Sequence, residues 1–132
     1  MTMTGGCHCG TIRYAVEGEA LHHALCHCYD CRGASGAPMV GWIAFHTEQV
    51  SITGEPISYA SSEHGRRLFC GTCGTGLFYT NAQMLPGITD IQSATLDDAE
   101  AHPPGAHIQV ADRLSWMTTL DSLPVFERYP GM

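Results

Sequence analysis

The chain has 132 residues and a mass of 14.2 kDa, which is the length of one domain. Its 13 acidic residues face only six basic ones, all arginine, for a formal charge of -7. That balance excludes a general nucleic-acid binder, which needs a basic stripe. No apolar run reaches the ~18 residues of a membrane span, and Met1 to Gly6 carries neither a basic region nor an apolar stretch. The expectation is a cytoplasmic protein without an export signal.

In chain order, a Cys7-His8-Cys9 cluster comes first. Thr11 to Val16 then alternates, with Ile12, Tyr14 and Val16 on one face, and reads as a strand. Cys26-His27-Cys28-Tyr29-Asp30-Cys31 follows as a ligand-rich loop, with a turn or two of helix expected over Tyr29 to Ala34. Short apolar runs at Val40 to Phe45, Val50 to Thr53, Ile57 to Ala60 and Leu68-Phe69 read as strands. The Cys70-Gly71-Thr72-Cys73-Gly74 turn comes next. Leu77 to Thr80, Ile88 to Ser93 and His107 to Ala111 are the last strands, with a helical turn expected at Asp97 to Ala101. Turn signals at Gly18, Gly54-Glu55-Pro56, Gly65, Pro86-Gly87 and Pro103-Pro104-Gly105 separate them. A strand every ten or so residues, with little helix, predicts a mostly β, mostly antiparallel protein. Residues 1–132 read as a single domain without repeats or linkers. Trp42, Phe45, Phe69, Phe78 and Trp116 are the expected aromatic core, and His107 is expected as a hydrogen-bonded core histidine.

The seven cysteines carry most of the functional signal. An odd number argues against a fully paired disulfide framework, and all seven fall in three clusters at metal-ligand spacing. A Cys-x-x-Cys turn puts two sulfurs on one ion, and Gly74 suits the positive φ of such a turn. In an extended Cys-x-Cys the two side chains share a face. Seven thiolates divide as four plus three. Cys26, Cys28 and Cys31 supply three ligands from one short segment, and Cys7, Cys9, Cys70 and Cys73 make a closed tetrahedral set. Soft thiolates select zinc, a closed four-thiolate site is structural, and three ligands with an open fourth position is the catalytic arrangement. Two zinc ions per chain are expected.

These clusters with their flanks carry a family resemblance. Gly6 to Tyr14, Cys26 to Arg32, Ser35-Gly36-Ala37-Pro38, Arg67 to Thr75 and Leu96-Asp97 resemble the glutathione-dependent formaldehyde-activating enzyme family, whose domain also occurs in centromere protein V. The resemblance runs from Gly5 to about Phe126. It implies several coiled antiparallel sheets of the Mss4-like type, stabilised by zinc. It also implies a structural zinc on Cys7, Cys9, Cys70 and Cys73 and an active-site zinc on Cys26, Cys28 and Cys31. The implied reaction joins glutathione and formaldehyde in S-hydroxymethylglutathione, the work of a carbon–sulfur lyase or synthase. This chain is shorter than the named enzyme, so the thiol and the aldehyde stand as a related pair rather than a fixed one.

Three thiolates make zinc less Lewis-acidic than three imidazoles do, which suits binding an incoming thiol as thiolate at the open position. Attack on a small aldehyde then leaves an alkoxide that needs a proton donor. His27 is a candidate acid, base or substrate contact, although its place between two ligands turns it away from the metal. Arg32 is a candidate for neutralising a thiolate or holding a substrate carboxylate, against a surface ion pair. Arg66 and Arg67 could do the same, against a structural salt bridge. Ser35 could donate to a developing oxyanion, against a turn hydroxyl bonded to its own backbone. The contrasting function is a zinc-stabilised binding module without chemistry, which needs only closed sites.

Overall fold

The computed structural model describes residues 1–131. Two sheets organise them. Strands β1 (Thr2–Gly6), β2 (Arg13–Glu17) and β5 (Val50–Thr53) form a three-stranded antiparallel sheet in the order β1-β2-β5. The second sheet has seven strands, in the order β10-β3-β4-β9-β8-β7-β6. Its members are β3 (His22–Cys26), β4 (Val40–His46), β6 (Ile57–Ala60), β7 (Gly65–Phe69), β8 (Gly76–Asn81), β9 (Leu85–Gln92) and β10 (Ala106–Ile108). One pair is parallel, β10 against β3; the other ladders are antiparallel. The mostly β, antiparallel architecture expected from the turn spacing is the one observed.

Alternation assigns the two faces of the large sheet. Ile43 and Phe45 of β4, Phe78 of β8 and Ile91 of β9 join Met3, Ile12, Tyr14, Val16 and Leu96 in the main core. Phe45 and Ile91 are completely buried, and cutting Phe45 back to alanine would cost about 3–5 kcal/mol. Burial pushes the Tyr14 phenol up to about 12, and its hydroxyl pairs with Thr95 at 2.8 Å. On the other face Val40 and Trp42 pack with Cys26 and Cys31, with Cys28 and Tyr79 against them. This second, smaller cluster carries the candidate site.

One helix, α1 (Tyr29–Ser35), follows β3 directly. Cys28 caps its amino end by accepting the Cys31 N–H, and Gly36 ends it in the left-handed conformation. Three sequence expectations need correction here. The ligand segment expected as one loop is the end of a strand, a helix cap and a first helical turn. Trp116 is 52% exposed rather than core, because its 3-10 segment Ser115–Ser122 pairs with neither sheet. His107, on β10, is hydrogen-bonded but exposed. A second 3-10 turn, Ala99–Ala101, occupies the turn expected near Asp97.

Asp97 fastens the small sheet to the end of β9. It pairs with the Arg13 guanidinium and accepts from the Thr4 hydroxyl at 2.7 Å. These partners hold its carboxyl down to about 2, with the Arg13 hydrogen bond the largest cause. Among the described residues no helix is long and apolar enough to cross a membrane.

Candidate metal centres

The fold gathers the seven sulfurs into two groups. The Sγ atoms of Cys7, Cys9, Cys70 and Cys73 all lie within 4.8 Å of one another, as do those of Cys26, Cys28 and Cys31. Sulfur–sulfur distances include 3.6 Å for Cys7–Cys9, 3.8 Å for Cys9–Cys70 and 3.6 Å for Cys26–Cys31. Tetrahedral bonds of ~2.3 Å to one zinc place sulfurs ~3.8 Å apart, so both groups fit such an ion. The four-plus-three division read from spacing is the division the fold makes. The two groups could bind metal ions, and an all-thiolate donor set is consistent with zinc.

The four-cysteine group is built from two matched turns. In the first, Ile12 N–H donates to Cys7 Sγ at 3.2 Å and Gly10 takes φ +82°. In the second, the Thr72 and Cys73 N–H groups both donate to Cys70 Sγ at 3.4 Å and Gly74 takes φ +83°. A threonine two residues on meets the outer sulfur in each, Thr11 at 3.0 Å from Cys9 and Thr75 at 3.2 Å from Cys73. The Thr75 hydroxyl is the main cause holding the Cys73 thiol down to about 5. Cys7 and Cys70 belong to the main hydrophobic core, so this group joins the amino-terminal turn to the β7–β8 turn from inside.

The three-cysteine group opens onto a cavity of about 550 Å³. Cys26, Cys28 and Cys31 form one wall, with Trp42, Arg67 and Tyr79 beside them. Arg67 Nη2 lies 3.9 Å from Cys31 Sγ, and its guanidinium sits over the Tyr79 ring, 5.1 Å from the centroid. The hydrogen bond with Cys26 is the largest cause holding Cys31 down to about 5, with Cys28, Trp42 and Arg67 adding to it. The same sharing drives the Cys26 thiol strongly upward. Three crowded thiols thus ionise unequally on their own, and a divalent cation is what lets all three become thiolates together.

The remaining candidates lie apart from the three sulfurs. His27 is 1% exposed; its Nε2 is 2.8 Å from His107 Nδ1, and burial is the first cause of its lowered pKa. It does not line the cavity. Arg32 donates to the Asp112 carbonyl at 3.3 Å and lies over the Tyr29 ring. The Ser35 hydroxyl donates to the Cys31 carbonyl at 2.6 Å and accepts from Ala37 N–H. Arg66 is tied to the carbonyls of Ser62, Glu63 and Gly65.

Sheet register adds Tyr79 and Asp90, which the sequence reading did not single out, and sets them beside Arg67, which it did. Arg67 of β7 pairs with Tyr79 of β8, Tyr79 with Asp90 of β9, Asp90 with Ala44 of β4, and Ala44 with His22 of β3. Directly opposed residues share a face. Arg67, Tyr79, Asp90 and His22 therefore form one transverse row, and all four line the cavity. The signal was in the sequence only as polar residues inside apolar strands.

The profile for the glutathione-dependent formaldehyde-activating enzyme matches residues 2–112 of the chain, and so contains both cysteine groups. The chain belongs to this family. An uncharacterised lyase of Schizosaccharomyces pombe is 33% identical over 81 residues, covering 60% of this chain and 59% of that protein. The match thus spans less than two thirds of that relative's length. A Halomonas elongata protein, provisionally named a glutathione-dependent formaldehyde-activating enzyme, is 24% identical across 89% of this chain and 80% of its own. A crystal structure of a Rhodobacter sphaeroides protein shares the fold, with a TM-score of 0.60 and 20% identity. It covers 80% of this chain and 99% of the other.

Proposed function

We propose that this family member is a zinc-dependent carbon–sulfur lyase or synthase acting on a thiol–aldehyde adduct, with glutathione and formaldehyde, or a related pair, as reactants. The observation that carries the reading is that Cys26, Cys28 and Cys31 form one wall of an open cavity, whereas Cys7, Cys9, Cys70 and Cys73 close on one another, with Cys7 and Cys70 in the core and Cys9 at the surface. A binding module needs no such opening. Cys7, Cys9, Cys70 and Cys73 hold a structural zinc, and Cys26, Cys28 and Cys31 hold the second. A zinc ion held there by three thiolates would supply Lewis acidity that favours an incoming thiol as thiolate near neutral pH.

The chain's own residues divide the remaining work. Arg67 places positive charge beside Cys31 and offsets the negative charge of a crowded thiolate set. Trp42 and Tyr79 give the cavity apolar walls that limit water around the reacting carbon. Tyr79 also supports Arg67 through its ring face. The hydrogen-bonded His27–His107 pair fixes the segment between Cys26 and Cys28, helped by the His27 N–H donating to the Ile108 carbonyl at 3.1 Å. Seven cysteines without disulfide partners support a reducing compartment, the cytoplasm.

The test mixes zinc-loaded protein with glutathione and formaldehyde, then with smaller thiols and aldehydes. Adduct formation and decay are followed by NMR exchange. Exchange above the spontaneous rate, lost in Cys28→Ser, is the expected result. An unchanged rate with every pair refutes the activity.

A further inference from the structure

The cavity holds a carboxyl group without a partner. Asp90 is 8% exposed, and its Oδ1 is sealed with no hydrogen-bond donor in reach. No side-chain hydrogen bond or ion pair to the other oxygen forms among the described residues. Yet Asp90 lines the same cavity as Cys26, Cys28 and Cys31. An ionised carboxylate in such a place would lose its hydration without compensation, whereas a neutral carboxylic acid loses far less.

The groups around it agree. His22 of β3 favours the ionised form, and burial and the charge of Cys31 favour the protonated one, with burial the largest cause of an upward shift. Tyr79 stands next to Asp90 in the transverse row, and Arg67 is one strand further on, over the Tyr79 ring and toward Cys31. Asp30 and Asp112 also line the cavity, and neither is among the causes of the Asp90 shift. Arg67 forms no ion pair with Asp90 among the described residues. The row thus keeps its cation at one end and its carboxyl free.

We propose that Asp90 is the proton donor to the carbonyl oxygen in the thiol–aldehyde reaction, and the proton acceptor in the reverse direction. The inference rests on the proposed activity and supplies the acid that activity needs. In the forward direction the thiolate electron pair forms the carbon–sulfur bond. The carbonyl π pair moves onto oxygen, and that oxygen takes the Asp90 proton. The proton released earlier by the incoming thiol restores Asp90 through solvent. In the reverse direction the Asp90 carboxylate removes the adduct's hydroxyl proton, the carbonyl re-forms and the sulfur leaves with its pair.

Asp90→Asn keeps the shape and removes the transferable proton. With zinc-loaded protein and the best thiol–aldehyde pair, kcat should fall about a hundredfold while KM for the thiol stays within about twofold. The alkaline limb of the wild-type pH profile should disappear, and Asp90→Glu should recover part of the rate. Equal kcat and an unchanged pH profile in Asp90→Asn overturn the assignment but leave the proposed activity standing. A wild-type protein without activity on any pair removes both. Carbon-13 NMR of aspartate carboxyls in the unmutated, zinc-loaded protein keeps the test independent of the variants' folding. One resonance should remain protonated after the other aspartates have ionised. Ionisation of all of them together overturns the proposal.

Discussion

The two sulfur groups use the same ligand chemistry in opposite settings. The four-cysteine group joins segments more than sixty residues apart, and backbone amides and threonine hydroxyls meet its sulfurs. The three-cysteine group takes all its sulfurs from residues 26–31, receives the Cys31 amide at Cys28 and both Trp42 and Arg67 at Cys31, and faces a cavity. Donors to sulfur are present in both, so the difference lies in the fourth protein sulfur: four thiolates would close a tetrahedral ion, whereas three would leave a position open to a group in the adjoining cavity.

The contrast breaks hardest at Cys70. Cys70→Ser removes a ligand and places a hydroxyl in the main core, so the chain should lose its cooperative thermal transition; the apparent binding energy of a structural zinc is about 10–16 kcal/mol. Retention of a sharp transition would falsify the structural assignment. Cys28→Ser should instead leave the melting temperature within a few degrees while one zinc per chain is lost and turnover falls at least a hundredfold. Metal analysis beside a thermal melt separates the two variants. A gentle chelator applied to the wild type should likewise remove one equivalent first, with circular dichroism unchanged until the second leaves.

Arg67→Met sharpens the picture within the open group. It keeps the stem packed on Tyr79 and removes the charge beside Cys31, so turnover should drop about tenfold with the fold intact. The smallest effect belongs to Asp97. Its folded pKa, about 2, lies below the ordinary value of 3.8, so its pairing stabilises the fold above about pH 4. That contribution fades as pH falls from about 4 to about 2. The pair is half exposed, so Asp97→Asn should cost only about 1 kcal/mol at neutral pH and flatten the acid limb of a stability profile.

Much of this was legible in the residues. Local Cys-x-Cys and Cys-x-x-Cys geometry explains each cluster, and the long-range joining of Cys7 and Cys9 to Cys70 and Cys73 followed from the count of seven, divided as four plus three. Strands β5 and β6 have the bounds their apolar runs suggest. Strand β3 was hidden because His22 and His23 broke its apolar pattern, although Ala24 and Cys26 point inward. Strand β1 reads as a polar tail until β2 pairs with it and buries Met3. The row of Arg67, Tyr79 and Asp90 depends on the register of three strands, a long-range property that no local window contains. Trp116 misled because size alone suggested core, while the segment that carries it has no sheet partner.

The parallel pairing of β10 with β3 has a consequence for assembly. Residues beyond Gly105 include no cysteine, yet Ile108, Gln109 and Asp112 close one flank of the cavity and His107 caps the His27 ring. A polypeptide stopped at Gly105 would carry every thiol and still leave the imidazole of His27 bare beside a breached chamber. Every thiol is therefore synthesised before the segment that walls the chamber, and that wall waits for the stretch from Ile108 to Asp112.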